Sequence, residues 1–305
     1  MRELGEHLHA GGHTVAGIRV AGHGTSVADL ARTSWRDWLA SARDGLSELR
    51  RHCDSTVVIG LSMGTLLALA LAEEQPEHVG GLALLSTALF SNHRLERYLP
   101  LLRAGAILGP ALPRPWRTVR KGERDIADPV ARAASPTYDA IPLRSLVDLV
   151  RLQRHARERV SAIRQPVLAI HARHDHTCPL DNVDFLQRRL PVPPQVTVLE
   201  RSYHVITVDH EKQQVAQAVL RFVTRSTDGG GAAAGDSIST PDAEAAGLCA
   251  HCRHVRWVRA ARSTFALCRR AETDPRFPRY PRLPVHDCPG YELGPGQGER
   301  RRSWP

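Results

Sequence analysis

The chain has 305 residues, 41 Lys or Arg against 32 Asp or Glu, and a formal net charge of +9. A hydrophobic share of 42% is that of a globular protein able to bury a sizeable core, and it excludes disordered and fibrous classes. No stretch approaches the roughly 20 apolar residues of a membrane span, and Met1–Glu6 lacks the apolar core of a signal peptide, so the sequence predicts a cytoplasmic protein.

In chain order, Leu4 and Leu8 lie one helical turn apart, which predicts a helix over Met1–Ala10, ended by Gly11-Gly12. His13–Val20 alternates toward a strand through Val15, Ile18 and Val20, and Gly22-His23-Gly24 follows as a tight loop. A helix opens near Ser34-Trp35 and runs to about Arg51. Thr56-Val57-Val58-Ile59 is β-branched and leads into Gly60-Leu61-Ser62-Met63-Gly64, after which Leu and Ala, both strong helix formers, run to Ala72. Strand, sharp turn and helix in this order are the setting of a nucleophile elbow. Ser62 is the candidate nucleophile, and Met63 the candidate oxyanion donor through its backbone N–H at the helix start. Gly60 and Gly64 are read as the places where a Cβ would collide with neighbouring backbone.

Leu82–Leu85 reads as the next core strand. The pattern then turns helical and irregular from about 91 to 164, where a cap over an active site is expected, although the same apolar residues also suit ordinary core. Gln165–Ala172 and Val196–Leu199 read as buried strands, and Gln213–Val223 as an amphipathic helix. Alternating strands and helices predict an α/β fold with a mostly parallel sheet covered on both faces.

A serine hydroxyl needs a base, and the base needs an orienting acid. Asp175 follows the strand ending at Ala172, and His204 follows the strand ending at Leu199, so both fall on loops at strand ends. His174, His176 and His210 compete for the role of base, and Asp209 competes for the role of acid. The order Ser62, Asp175, His204 is that of α/β-hydrolases. Gly60–Gly64, Ala172-Arg173-His174-Asp175 and His204–Asp209, with Gly22-His23-Gly24-Thr25, Trp35 and Trp38, together resemble the bacterial carboxylesterase and monoacylglycerol lipase-like group of α/β-hydrolases over about residues 1–223. The resemblance implies an α/β-hydrolase fold with a small cap, no cofactor for catalysis, and hydrolysis of short to medium acyl esters or monoacylglycerols. Two departures stand out. The group usually has Gly before the catalytic histidine, where this chain has Tyr203. The group also carries a His-Gly loop ahead of the first helix; none precedes Arg2–Ala10 here, so the natural product is expected to start earlier.

From Ser226 the composition changes. The expected domains are 1–225 for the hydrolase, 226–246 for a Gly/Ala-rich flexible linker, 247–293 for a cysteine module and 294–305 for a disordered tail. Cys249-Ala250-His251-Cys252 is a C-x2-C knuckle, followed by Cys268 after 15 intervening residues and Cys288 after 19 more. In a reducing compartment four such thiols suit a structural zinc, with an iron–sulfur cluster as the other candidate. Val255, Trp257, Val258 and Phe265 are its candidate minimal core. Arg253, Arg256, Arg259, Arg262, Arg269 and Arg270 accompany the cysteines without any base-reading motif, so nucleic acid is not the expected partner and the partner of this module is open. The sequence therefore predicts a serine esterase with a metal-binding appendage. The alternative is a non-catalytic, degenerate hydrolase that binds a partner through the zinc module.

Overall fold

The computed structural model describes residues 1–92, 95–108, 117–120, 122–227, 246–260, 263–274, 276–278, 281 and 283–294. The chain divides into two compact units, Met1–Gly230 and Gly231–Pro305. The first unit runs α1 (Arg2–Ala10), α2 (Val27–Arg32), α3 (Trp35–Arg50), β1 (Val57–Leu61), α4 (Met63–Glu74), β2 (Gly81–Leu85), α5 (Leu99–Leu108), β3 (Thr118–Arg120), α6 (Pro129–Ala134), β4 (Ala140–Pro142), α7 (Leu143–Arg159), β5 (Val167–Ala172), α8 (Asp181–Arg189), β6 (Gln195–Leu199) and α9 (Lys212–Thr227).

The central sheet has the order β1-β2-β5-β6, and every pairing in it is parallel. Gly-Leu-Ala-Leu-Leu of β2 and Val-Leu-Ala-Ile-His-Ala of β5 are buried along their whole length, as expected of parallel strands covered on both faces. The period of two sorts their side chains. Leu82 and Leu84 of β2, with Val167 and Ala169 of β5, join Trp38, Leu39 and the α4 leucines in one core. Ala83 and Leu85, with Leu168, Ile170 and Ala172, face Leu4 and Leu8 of α1 and Val219, Phe222 and Val223 of α9 in the other. Thr65 through Ala72 of α4 are all buried, because this helix is enclosed by the sheet, α3 and α7.

Among its described residues, the connection from β2 to β5 holds the antiparallel pair β3 and β4 and the α-helices α5, α6 and α7. Val150, Leu152 and Ala156 of α7 are buried, and Leu152 and Ala156 share the core of α3 and α4. The C-terminal half of α7 is therefore core, while α5 turns apolar residues outward. His13–Val20 carries no strand pairing, contrary to its alternating pattern. Its apolar residues are otherwise engaged: Ile18 lies against Gly45 of α3, Val15 lies against Gly5 of α1, and both stay over 40% exposed, at 43% and 41%. A strand needs a partner as well as a pattern, and among the described residues β1 pairs only with β2.

In the second unit, β7 (Val255–Ala260) and β8 (Ser263–Cys268) form an antiparallel hairpin, with Val255 opposite Cys268. The 3-10 turn Leu248–Ala250 precedes it. Residues 228–245, which hold most of the expected linker, and 295–305, which hold the expected tail, lie outside the described residues, as do the side chains of Trp257, Val258 and Phe265. No helix among the described residues is long and apolar enough to cross a membrane.

The two glycines of the elbow are not equivalent. A Cβ on Gly60 would stand 2.3 Å from the Gly64 carbonyl oxygen and 2.6 Å from the Thr65 nitrogen, whereas one on Gly64 would meet nothing within 4 Å. Only Gly60 is required by close approach of strand to helix. Gly60→Ala should cost about 1–3 kcal/mol or more, since the obstruction is backbone. Gly64→Ala should be neutral to stabilising by at most about 1 kcal/mol, and paired thermal unfolding curves read the difference.

Candidate active site

Ser62 occupies the single residue between β1 and α4. Its φ of 55° and ψ of −120° lie where an L-residue is strained. The conformation is held from several sides. The Ser62 N–H donates to the Leu85 carbonyl at 2.9 Å, while the Ser62 carbonyl accepts from the Thr65 N–H at 2.9 Å and the Thr65 hydroxyl at 2.6 Å. Strand, turn and helix are thereby locked, and the hydroxyl projects beyond the end of the sheet. Met63, the first residue of α4, is half-buried beside it. Backbone N–H groups at this end of a helix have no intrahelical partner, so the helix start offers donors to a developing negative charge.

Asp175 and His204 lie on the loops after β5 and β6, and both are buried. The His204 Nε2 stands 2.8 Å from Ser62 Oγ, and its Nδ1 2.8 Å from Asp175 Oδ2. The other Asp175 oxygen accepts the N–H groups of Thr177 at 2.8 Å and Cys178 at 2.7 Å. Burial alone would raise Asp175, but the His204 hydrogen bond and charge, the Cys178 N–H and His171 outweigh it and hold the carboxyl below its ordinary range. His171, buried in β5, approaches Asp175 Oδ2 at 3.4 Å, and burial pushes its own pKa down. Ser86, at the end of β2 with a φ of 48°, donates its hydroxyl to the His204 carbonyl at 2.6 Å. The backbone of the histidine is thus tied to the strand beside the nucleophile's.

The rival candidates sit elsewhere. His174 and His210 are exposed. His176 turns its Nδ1 to Asp125 at 2.8 Å and packs edge-on against the Tyr203 ring. Asp209 makes no contact with the His204 ring. Its two oxygens accept four backbone N–H groups, from Ala127, Asp128, Tyr203 and His210, at 2.8–2.9 Å. Burial would raise it, yet these donors hold its pKa down.

Two carboxylates that the sequence does not single out, Glu211 and Asp125, complete the support together with Asp209, the rival acid. Glu211 accepts the N–H groups of Glu200, Arg201 and Ser202 and the Ser202 hydroxyl. Asp125 accepts the N–H of His176 at 2.9 Å and the Thr177 hydroxyl at 2.8 Å, while its carbonyl accepts from the Val205 N–H. Asp209, by joining residues 127 and 128 to residue 203, acts alongside them. Together they fasten the acid loop and the histidine loop to the segment before α6. Asp125, Asp175 and His204 offer ligand atoms within 4.8 Å of one another, a spacing a cation tolerates, but those atoms are already engaged in hydrogen bonds. The four cysteines named from the sequence belong to the second unit.

A family model described as serine aminopeptidase, S33, matches residues 1–211. A thermostable monoacylglycerol lipase of Bacillus sp. (strain H-257) is 30% identical over 226 residues, which is 74% of this chain and 85% of that protein. A carboxylesterase of Bacillus subtilis (strain 168) is 25% identical over 227 residues, 74% of this chain and 87% of the relative. Among solved structures, one of the metagenome-derived lipolytic enzymes LipS and LipT superposes with a TM-score of 0.66 at 28% identity, covering 74% of this chain and 87% of its own.

Asp209 is buried and has no cationic partner among the described residues, so its worth lies in the backbone donors it satisfies. Asp209→Ala leaves those N–H groups unpaired, at about 1–3 kcal/mol for each that water does not reach, and should lower both melting temperature and kcat. Because its folded pKa is depressed, its contribution is present above about pH 4 and fades as pH falls through the folded value. Acid unfolding followed by circular dichroism should accordingly be shallower in the variant than in the parent below about pH 4.

Proposed function

Since the chain belongs to the serine aminopeptidase, S33, family, we propose that it is an esterase that cleaves carboxylic esters by a Ser62–His204–Asp175 relay through an acyl-enzyme. The observation that carries this reading is the unbroken pair of 2.8 Å contacts from Ser62 Oγ to His204 Nε2 and from His204 Nδ1 to Asp175 Oδ2. Ser62 Oγ attacks the ester carbonyl carbon as its proton passes to Nε2. Asp175 fixes the tautomer with Nδ1 protonated and stabilises the imidazolium that forms. The carbonyl oxygen takes up the negative charge and is received by the Met63 N–H at the start of α4. His204 then returns the proton to the leaving alcohol. Water repeats the sequence on the acyl-enzyme and frees the acid.

An exposed apolar face in the segment between β2 and β5 supports the substrate class. Tyr98, Leu101 and Ile107, on and beside α5, are 54%, 71% and 77% exposed, an apolar surface suited to an acyl chain. The monoacylglycerol lipase and carboxylesterase among its relatives point the same way, toward short to medium acyl esters or monoacylglycerols. The reading as a non-catalytic partner-binding protein is not favoured, because a buried, pre-aligned relay on a strained serine is costly to keep without a reaction to serve.

Hydrolysis of p-nitrophenyl butyrate and of monooctanoylglycerol, against an aminoacyl p-nitroanilide, tests this. Turnover is expected on both esters and not on the anilide. Ser62→Ala and His204→Ala should lower kcat by about 10⁴-fold or more, and Asp175→Asn by about 10³–10⁴-fold. Ester turnover that survives Ser62→Ala unchanged would refute the assignment.

A further inference from the structure

The four cysteines of the second unit are far apart in sequence, and backbone hydrogen bonds join the segments that carry them. The Cys249–Cys252 knuckle is held between the two stretches that flank Cys288. Ahead of the knuckle, the Leu248 N–H donates to the Val285 carbonyl at 2.7 Å and the Val285 N–H to the Ala246 carbonyl at 3.2 Å. Gly247, at a φ of 59°, is required there, because a Cβ would stand 2.2 Å from the Val285 oxygen. Behind the knuckle, the Arg253 N–H donates to the Glu292 carbonyl at 2.8 Å, the Gly294 N–H donates to the His251 carbonyl at 2.9 Å, and Cys252 bridges Leu293. Cys288 heads the turn between these two stretches, its carbonyl accepting from the Tyr291 N–H at 3.1 Å. Cys268 closes β8 opposite Val255, three residues after Cys252, and the Arg269 N–H donates to the His254 carbonyl at 2.9 Å.

All four thiols are free and half-buried. Among the unit's described side chains, the buried apolar ones are two alanines, Ala246 and Ala266. A segment as short as 246–294 rarely folds on core burial alone, which favours a covalent or metal staple.

We propose that Cys249, Cys252, Cys268 and Cys288 bind one zinc ion as a closed, structural tetrathiolate site. Four soft thiolates in a tetrahedral set select zinc among the divalent cations that need no redox chemistry. All four positions are filled by protein, which leaves no site for substrate. The sulfurs are not gathered within 4.8 Å of one another as the Asp125 cluster is; the ion would draw them in to about 2.3 Å from itself. Four thiolates on a divalent ion leave a net negative charge, and Arg253 and Arg270, both bonded to Glu292, stand beside the ligand positions to compensate it. Folding of this unit and zinc binding then share one free energy.

The test uses the full chain, expressed without added metal and purified under reducing conditions. Elemental analysis should find close to one zinc per chain. Cys252→Ser and Cys288→Ser should each lose at least four-fifths of it, while Cys53→Ser, outside the set, should keep it. Exchange with Co²⁺ should give the intense visible bands of a tetrahedral thiolate site in the parent and not in Cys252→Ser. Limited proteolysis should cut residues 246–294 faster after zinc is removed, with the 1–227 core left intact. Reduced, monodisperse protein with no metal, iron in place of zinc, or zinc retained in both Cys→Ser variants would each overturn the proposal.

Discussion

The fold of the first unit turns on one crossing, where β1 passes so close under α4 that only hydrogen fits on Gly60. That approach leaves one residue, Ser62, to reverse the chain from strand to helix, and it does so at a φ that disfavours a side chain. The cost is met by burial. Thr65 through Ala72 of α4 are enclosed, so the helix cannot move away to relax the turn. A hydroxyl pinned in this manner needs no reorganisation to reach a base, and rigidity of this kind makes an aligned relay effective.

Placement of His204, the proposed base, depends on a different physics. Asp209 and Glu211 are carboxylates whose partners are mainly backbone N–H groups rather than cations. Each accepts several donors at once, which outweighs the penalty of burial and keeps its pKa down. Negative charge is used here as an organiser of loops: residues 125–128, 175–178 and 200–205 are drawn to one place although they come from three separate connections. Asp175, the proposed acid, follows the same rule, since it divides its oxygens between His204 and two N–H groups of its own loop.

These two mechanisms explain what was legible in the sequence. The elbow could be read because its determinants are local: a β-branched run, a glycine, a serine and a helix-forming run, all within about one turn of one another. β2 and β5 could be read because a strand buried on both faces is a plain apolar run. Asp175 and His204 follow readable strands, Asp175 the fully buried β5 and His204 the half-buried β6. Asp125, Asp209 and Glu211 could not be assigned their work, because their partners are backbone amides, which every residue carries and no sequence pattern marks. Gly64 was over-read, since the motif treats both glycines alike while the packing needs only Gly60. His13–Val20 alternates like a strand, yet it pairs with no described strand, and Val15 and Ile18 lie half-exposed against α1 and α3.

The central claim is that Ser62 carries the acyl group. The direct measurement is a rapid-quench reaction with p-nitrophenyl butyrate, followed by acid trapping and peptide mass spectrometry. The account predicts a burst of nitrophenol approaching one equivalent per chain when deacylation is slower, and a butyryl adduct on the peptide that contains Gly60–Gly64, at Ser62. An adduct on any other residue, or ester turnover in which no covalent species forms at any quench time, would contradict it.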